Sequence, residues 1–182
     1  MFSYGERFME RINQIINHPL YVECLEKIKG HEAERIFCKH DMVHFLDVCR
    51  IAEILWLRYC LDVQGLDKDD YEKMSSEQTK EYIYATGILH DIGRWQEYEE
   101  GIRHEIASAD LASRILCECG YNEQEIEEIR RAILNHRNSS IKDENSLSGW
   151  IYQADKKSRA CFACKAEKMC DWSKAKKNLR LM

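Results

Sequence analysis

The chain has 182 residues, 45% of them apolar and 32% charged, which suits one globular domain with one core rather than a disordered chain. One proline and eight glycines are too few for a many-turned β-sandwich, so the fold class expected is all-α. A net charge of −5, from 27 basic and 32 acidic residues, argues against duplex nucleic acid as a main partner, where affinity rests on neutralising phosphates.

Phe8, Ile12, Ile15 and Ile16 share one face of a first predicted helix, which stops near His18 and Pro19. Val22, Leu25 and Ile28 mark a short second helix, with Gly30 placed to end it. A long helix is predicted from Asp41, a good N-cap, to about Gln64 before Gly65. "GLDKDDYEKMSS" follows as a polar loop, and Ser75 with Gln78 reads as a capping box opening the helix that carries His90. Further helices are predicted at about Ile102–Cys119, closed by Gly120, and at Glu123–Arg137 behind Asn122. After the loop "NSSIKDENSLS", a last long helix is expected from near Gly149 into a cysteine-bearing tail. No internal repeat or linker divides the chain.

Polar residues recur on the inward faces of these helices. His44 lines up with Val48, Ile51, Ala52 and Leu55, and His104 with Ala107, Ser108, Leu111 and Ile115. His136 closes the row Ile129, Ala132, Ile133; Asp155 follows Ile151 by one turn; His90 stands seven residues after Ile83, beside Asp91. Singly, each reads as a satisfied core histidine or a buried hydrogen-bond anchor. Jointly, two aspartates and four imidazoles without a cation make a poor core, because burying an unpaired carboxylate costs several kcal/mol or neutralises it. One divalent ion, or a pair, would supply the missing charge and use imidazole nitrogen and carboxylate oxygen together.

No apolar run approaches the roughly 18 residues of a membrane span. The N-terminal "MFSYGERFMERINQ" carries charges inside any would-be signal core, so a cytoplasmic location is expected. Nine cysteines, an odd number, read there as thiols or metal ligands rather than a disulfide framework. "CFACKAEKMC" places Cys161 and Cys164 three apart on a predicted helix, with Cys170 six further on. They read as small core residues or as part of a second metal or cluster site. A fourth ligand would then have to come from Cys38, Cys49 or the Cys117/Cys119 pair.

The ordered set His44, His90-Asp91, His104, His136 and Asp155 resembles the HD-domain superfamily of metal-dependent phosphohydrolases. The local contexts "HFLDVCRIA", "ILHDIGR", "HEIASADLA", "AILNHR" and "ADK" are similar as well, over about residues 40–160. There is no "GYP" signature, so the cyclic-dinucleotide branch named for it is not supported. The resemblance implies a single helical domain over residues 1–182, with a central metal site and a cysteine-containing tail at 161–182. It implies His44, His90, Asp91 and Asp155 as the core ligands, with His104 and His136 adding a second ion bridged by Asp91. Mixed imidazole and carboxylate ligation favours iron or manganese over magnesium, and zinc is compatible.

Such a pair can activate a shared water as hydroxide and clamp a phosphoryl oxygen, which implies hydrolysis of a small phosphorylated, nucleotide-like molecule. Arg94, three residues after Asp91, and Lys156, next to Asp155, are candidates to hold the phosphate; Arg103 and Arg137 are weaker ones. All four equally suit surface basic residues near helix ends. His40 is read as either near the substrate or at the helix entry, and Asp47 as a solvated carboxylate. His18 and His31 fall at element boundaries and are given no role. The same ligand set is compatible with a diiron oxygenase or with a non-catalytic metal- and nucleotide-binding sensor.

Overall fold

Helix ends carry most of the local logic in this chain. The computed structural model describes the backbone at residues 4–62 and 77–180, and side chains from residue 10 onward in the first of these stretches. The predicted contribution of Phe8, the loop from Gly65 and the Ser75 cap lie outside the described residues. The α-helices are α1 (Tyr4–Ile16), α2 (Pro19–His31), α3 (Met42–Asp62), α4 (Glu77–Leu89), α5 (Arg94–Glu100), α6 (His104–Glu118), α7 (Glu123–Asn135) and α8 (Leu147–Lys157). Short 3₁₀ turns follow at Ser139–Ile141, Cys161–Ala163 and Glu167–Met169. The described residues contain no β-strand, and none of their helices is long and apolar enough to cross a membrane.

Several ends fall where the sequence places them. His18 accepts from the Leu20 N–H ahead of α2, whose Pro19 occupies the first turn where a missing N–H costs nothing. Asn122 and Glu125 form a reciprocal capping box on α7. Gly120, at φ 79°, lets the chain turn out of α6 while the Tyr121 N–H returns to Leu116 O at 3.0 Å.

Four expectations are corrected. Gly30 lies inside α2, and Glu32, rather than the glycine, caps it. Helix α7 stops at Asn135, which leaves His136 in its cap. Helix α8 begins at Leu147, because the Ser146 hydroxyl accepts from the Gly149 N–H, and it ends at Lys157. The tail cysteines therefore sit in 3₁₀ turns and not on a helix. Helix α5 was not foreseen: of its seven residues RWQEYEE none is fully buried and only Trp95 packs against the core, so no apolar stripe announces it.

Helix α4 is the centre of the packing, touching α1, α3, α6, α7 and α8. Ile83 and the run Ala85 to Leu89 are buried all round, as expected for a helix wrapped by neighbours. Gly87 lets α3 come close: a Cβ there would lie 2.5 Å from Cys49 Sγ and 3.2 Å from its backbone nitrogen. One apolar cluster joins α1, α2, α4, α6 and α7 through residues such as Ile15, Tyr21, Ile88, Ile115 and Ile129. A second joins α3 to α8 through Val48, Trp56, Trp150 and Ile151. Each fully buried aliphatic side chain contributes about 1.5–3 kcal/mol.

One ionic knot fastens α1 to this frame. Arg11 donates to Glu81 at 2.5 Å and to Glu125 at 2.9 and 3.2 Å, and its guanidinium lies 3.9 Å from the Tyr121 ring centre. Burial raises the Glu125 pKa, but Arg11 and the Asn122 N–H outweigh it and hold the carboxyl below its usual value. Arg11→Met strands two buried carboxylates and should cost about 2–3 kcal/mol in urea denaturation. A depressed carboxyl contributes stability above its unfolded pKa that is lost as pH falls through the folded one. The deficit should therefore be full near pH 7 and shrink below about pH 4.

Two glycines make an opposed pair. A Cβ on Gly93 would lie 2.3 Å from Ser108 N and 2.6 Å from Ala107 C, both backbone atoms of α6. Gly93→Ala should lower stability by about 3 kcal/mol. Nothing lies within 4 Å of a Cβ on Gly30, which is exposed on α2, so Gly30→Ala should raise stability by about 0.5–1 kcal/mol in the same assay.

Candidate metal centre

Five helices deliver the polar residues to one place. His44 lies in the first turn of α3, whose N-terminus is capped by Asp41 Oδ1 accepting from the His44 N–H at 3.0 Å. His90 and Asp91 sit immediately after α4, in the turn that the Gly93 approach to α6 makes room for. The Gly93 N–H also donates to Ser108 Oγ of α6 at 2.9 Å, which ties this turn to the helix that His104 opens. His136 caps α7, and Asp155 lies in the last turns of α8. All six are buried.

The Asp91 carboxylate divides its oxygens between two sets of imidazoles. Oδ2 lies 3.3 Å from His90 Nε2 and 3.8 Å from His44 Nε2; Oδ1 lies 3.3 Å from His104 Nε2 and 3.5 Å from His136 Nε2. Asp155 Oδ1 completes the first set, 3.5 Å from His44 Nε2 and 3.9 Å from His90 Nε2. His44, His90, Asp91 and Asp155 thus bring one donor atom each within 4.8 Å of one another, and so do Asp91, His104 and His136. Metal bonds of about 2.0–2.2 Å at angles of about 90–110° leave neighbouring ligand atoms about 3.0–3.5 Å apart, so these spacings fit a divalent ion in each set.

Partners on the far side of the rings select the tautomer at His44, His90 and His136. His90 Nδ1 donates to Gly87 O at 2.8 Å and His136 Nδ1 to Ile133 O at 2.7 Å. His104 Nδ1 lies 2.7 Å from Glu97 Oε2, an acceptor only. His44 Nδ1 meets Ser158 Oγ at 3.1 Å, and that hydroxyl spends its own proton on Asp155 O at 2.8 Å. At His44, His90 and His136 the ring therefore carries its proton on Nδ1 and turns the Nε2 lone pair inward, the arrangement a metal-bound histidine needs, whereas His104 Nδ1 meets both Glu97 Oε2 and, at 2.6 Å, the Arg94 guanidinium. Two of the inward atoms, His90 Nε2 and Asp91 Oδ1, are buried without a hydrogen-bond partner, an arrangement that costs free energy unless an ion completes it.

Electrostatics agree with this geometry. Burial lowers the His44 and His104 pKa values to about 4, leaving both neutral at physiological pH. Burial works against the charge of Asp91, but His90, His136 and their neighbours hold it well below the carboxylate range. Asp155 is likewise pulled down against its burial, by Lys156, His90 and Arg159. His90 is itself raised by Asp91 and Asp155 in spite of complete burial.

Cations ring the centre. Arg94 Nη1 lies against the His104 ring, 2.6 Å from Nδ1 and 3.1 Å from Nε2, and 3.1 Å from Glu97 Oε2. Lys156 Nζ contacts Asp155 Oδ2 and lies 3.5 Å from His136 O. Arg103 and Arg137 pair instead with Glu105, Arg103 Nε at 2.7 Å and Arg137 Nη1 at 3.5 Å. Asp47 is a half-exposed partner of Arg50 and takes no part.

Three participants escaped the sequence reading. Arg159 is buried and donates from Nη2 to His44 Nε2 at 2.9 Å, with Asp155 Oδ1 at 3.5 Å; its place one helical turn after Asp155 was the available signal. Glu97 orients His104 from the unforeseen α5. Glu32 accepts from the His40 N–H at 2.7 Å, bonds His40 Nδ1, and accepts from Tyr98 OH at 2.6 Å. Burial opposes its charge, yet these bonds take its pKa down to about 2. The pairing holds the buried His40 with Nε2 3.7 Å from Asp91 Oδ2.

Comparison with known proteins agrees with this site. A family model for the HD domain matches residues 42–169, a span that contains all six residues. An uncharacterized protein of Clostridium beijerinckii is 42% identical over 173 residues, which covers 95% of this chain and 99% of that protein. No solved structure matches the chain. The chain belongs to the HD domain family, within the metal-dependent phosphohydrolase superfamily.

Proposed function

We propose that this protein hydrolyses a phosphate ester in a small, nucleotide-like molecule, using two divalent ions. The observation that carries the reading is the division of Asp91, one oxygen facing each set of imidazoles. His44, His90, Asp91 and Asp155 would hold one ion, and Asp91, His104 and His136 the other. Iron or manganese suits this mixture of imidazole and carboxylate better than magnesium. When bound, the ions supply Lewis acidity to a phosphoryl oxygen and acidify a water for attack.

The chain's own residues supply binding and orientation. Arg94 and Lys156 carry donor hydrogens at the edges of the two sets, where an anionic phosphate would accept them. The guanidinium that now lies against the His104 ring carries donors of the kind a phosphoryl oxygen takes. Glu97, Gly87 O, Ile133 O and Ser158 keep the four rings from rotating, so the site is set before substrate arrives. The net charge of −5 does not oppose a small phosphate, because these local cations outweigh it at close range.

Asp91→Ala should lose both bound metal and phosphatase activity, beyond the about 10–100-fold that loss of a supporting group costs. Metal content by mass spectrometry and a screen of p-nitrophenyl phosphates, mononucleotides and dinucleoside polyphosphates would measure both. Undiminished occupancy in that variant would refute the ligand set. Phosphate release with redox-inert manganese supports hydrolysis. Turnover that demands ferrous iron and oxygen, or tight nucleotide binding without product, would refute it. Arg94→Ala should keep its metal yet lose about 10²-fold in kcat/KM, the scale of one lost donor to a developing charge.

A further inference from the structure

The tail beyond α8 carries chemistry that the metal centre does not use. All the cysteines are free thiols, and Cys161, Cys164 and Cys170 lie along the successive turns of the tail. The Cys164 N–H donates to Cys161 O at 3.2 Å, the Glu167 N–H to Cys164 O at 3.2 Å, and the Cys170 N–H to Glu167 O at 3.3 Å. Successive i→i+3 bonds of this kind bring residues three apart toward one side. Lys177 closes the coil, donating to Glu167 O at 2.7 Å and to its carboxylate at 2.9 Å. Asn178 donates to Lys156 O at 2.6 Å and to Arg159 O at 2.9 Å, so the tail is laid back on the end of α8.

A fourth cysteine, Cys38, lies in the loop ahead of α3, whose backbone is tied to the tail. Arg159, two residues before Cys161, donates from Nη1 to Lys39 O at 3.1 Å, which fastens the residue after Cys38 to the start of the tail. Arg35 Nε donates to Cys38 O at 3.0 Å and fixes the same peptide from the other side. Burial raises the Cys38 thiol, Arg159 pulls it down, and the Cys161 and Cys164 thiols push it up again, as near neighbours of like charge do. Lys177 in turn feels Cys170 and Cys161. The other candidates lie elsewhere: Cys49 is sealed between α3 and α4 against Gly87, and Cys117 and Cys119 are at the end of α6.

We propose that Cys38, Cys161, Cys164 and Cys170 form a four-thiolate centre for a soft metal, distinct from the histidine–aspartate site. A Cys-x-x-Cys pair with two further cysteines is a closed tetrahedral set for structural zinc, and the same four ligands hold an iron–sulfur cluster. A cation among them converts mutual thiolate repulsion into four bonds. Among the described residues only the histidine–aspartate sets bring three donors within 4.8 Å, so filling this centre requires the four thiols to draw closer together. Its role is structural: it clamps the tail to the loop before α3 and thereby holds Arg159, whose other nitrogen touches His44.

The test uses the full chain with Asp91→Ala, so that the histidine–aspartate site is silent and failure there cannot imitate failure here. Zinc, iron and acid-labile sulfide are measured per chain, and cobalt is titrated into apoprotein while sulfur-to-cobalt charge-transfer absorption is followed. One tightly held zinc with a thiolate–cobalt band, or iron with matching sulfide, is the expected result, and the two outcomes identify the occupant. Cys38→Ser and Cys164→Ser in this background should abolish the signal, whereas Cys117→Ser should keep it. Absence of any thiolate–metal signature in the folded Asp91→Ala chain would overturn the proposal, whatever the serine variants do. Retention of the full signal in Cys38→Ser would overturn the four-cysteine set.

Discussion

Everything at the centre of this protein turns on one buried carboxylate. Asp91 has lost nearly all contact with water, and an isolated charge in that position would cost several kcal/mol even after relaxation. The fold does not neutralise it with a proton. It surrounds both oxygens with imidazole nitrogens at 3.3–3.8 Å and leaves Oδ1 without a hydrogen bond. The environment rewards a cation between carboxylate and imidazole, and that unmet need is the physical basis of the centre.

Meeting it demands rigid delivery from separate helices. His90 and His136 lie just past helix ends, where unsatisfied terminal carbonyls (Gly87 O and Ile133 O) can accept from Nδ1 and lock each ring. Helix termination and ligand orientation are thus the same event. The close contact of Gly93 with the α6 backbone does the equivalent job for distance, because a bulkier residue would push the His90-Asp91 turn away from His104. Central α4, packed on all sides, gives these termini a fixed origin.

Around the ligands lies a layer of charge that stabilises them without being among them. Tyr98, Glu32 and His40 form a chain that ends facing Asp91, and Arg159 spans from Lys39 O to His44. Arg159 donates to His44 Nε2 and the Arg94 guanidinium lies against the His104 ring, so positive charge stands beside each set of donors. Donors placed this way need little reorganisation to meet an anion, which is how a preorganised site stabilises developing charge.

His44, His104 and Asp155 were legible in the sequence because each obeys a helical period shared with an apolar face, and period survives without knowledge of neighbours. His90 and His136 continue such a row just past its helix, with Asp91 read only as the residue beside His90. Caps were legible for the same reason: Asp41, Asn122 and Gly120 act within a turn of themselves. The short α5 was not, since a helix with no fully buried side chain leaves no stripe to read. Nor were Glu32, whose partners His40 and Tyr98 lie 8 and 66 positions away, and Arg159, which meets His44 across 115. The tie between Arg159 and Lys39 O, which fastens the tail to the loop ahead of α3, likewise spans 120 positions. Local spacing determined the fold class, the helices and the metal-competent faces. Only the packing of those helices decided which distant charges stand beside them, because a contact between remote residues costs nothing in the sequence and exists only once the chain has closed.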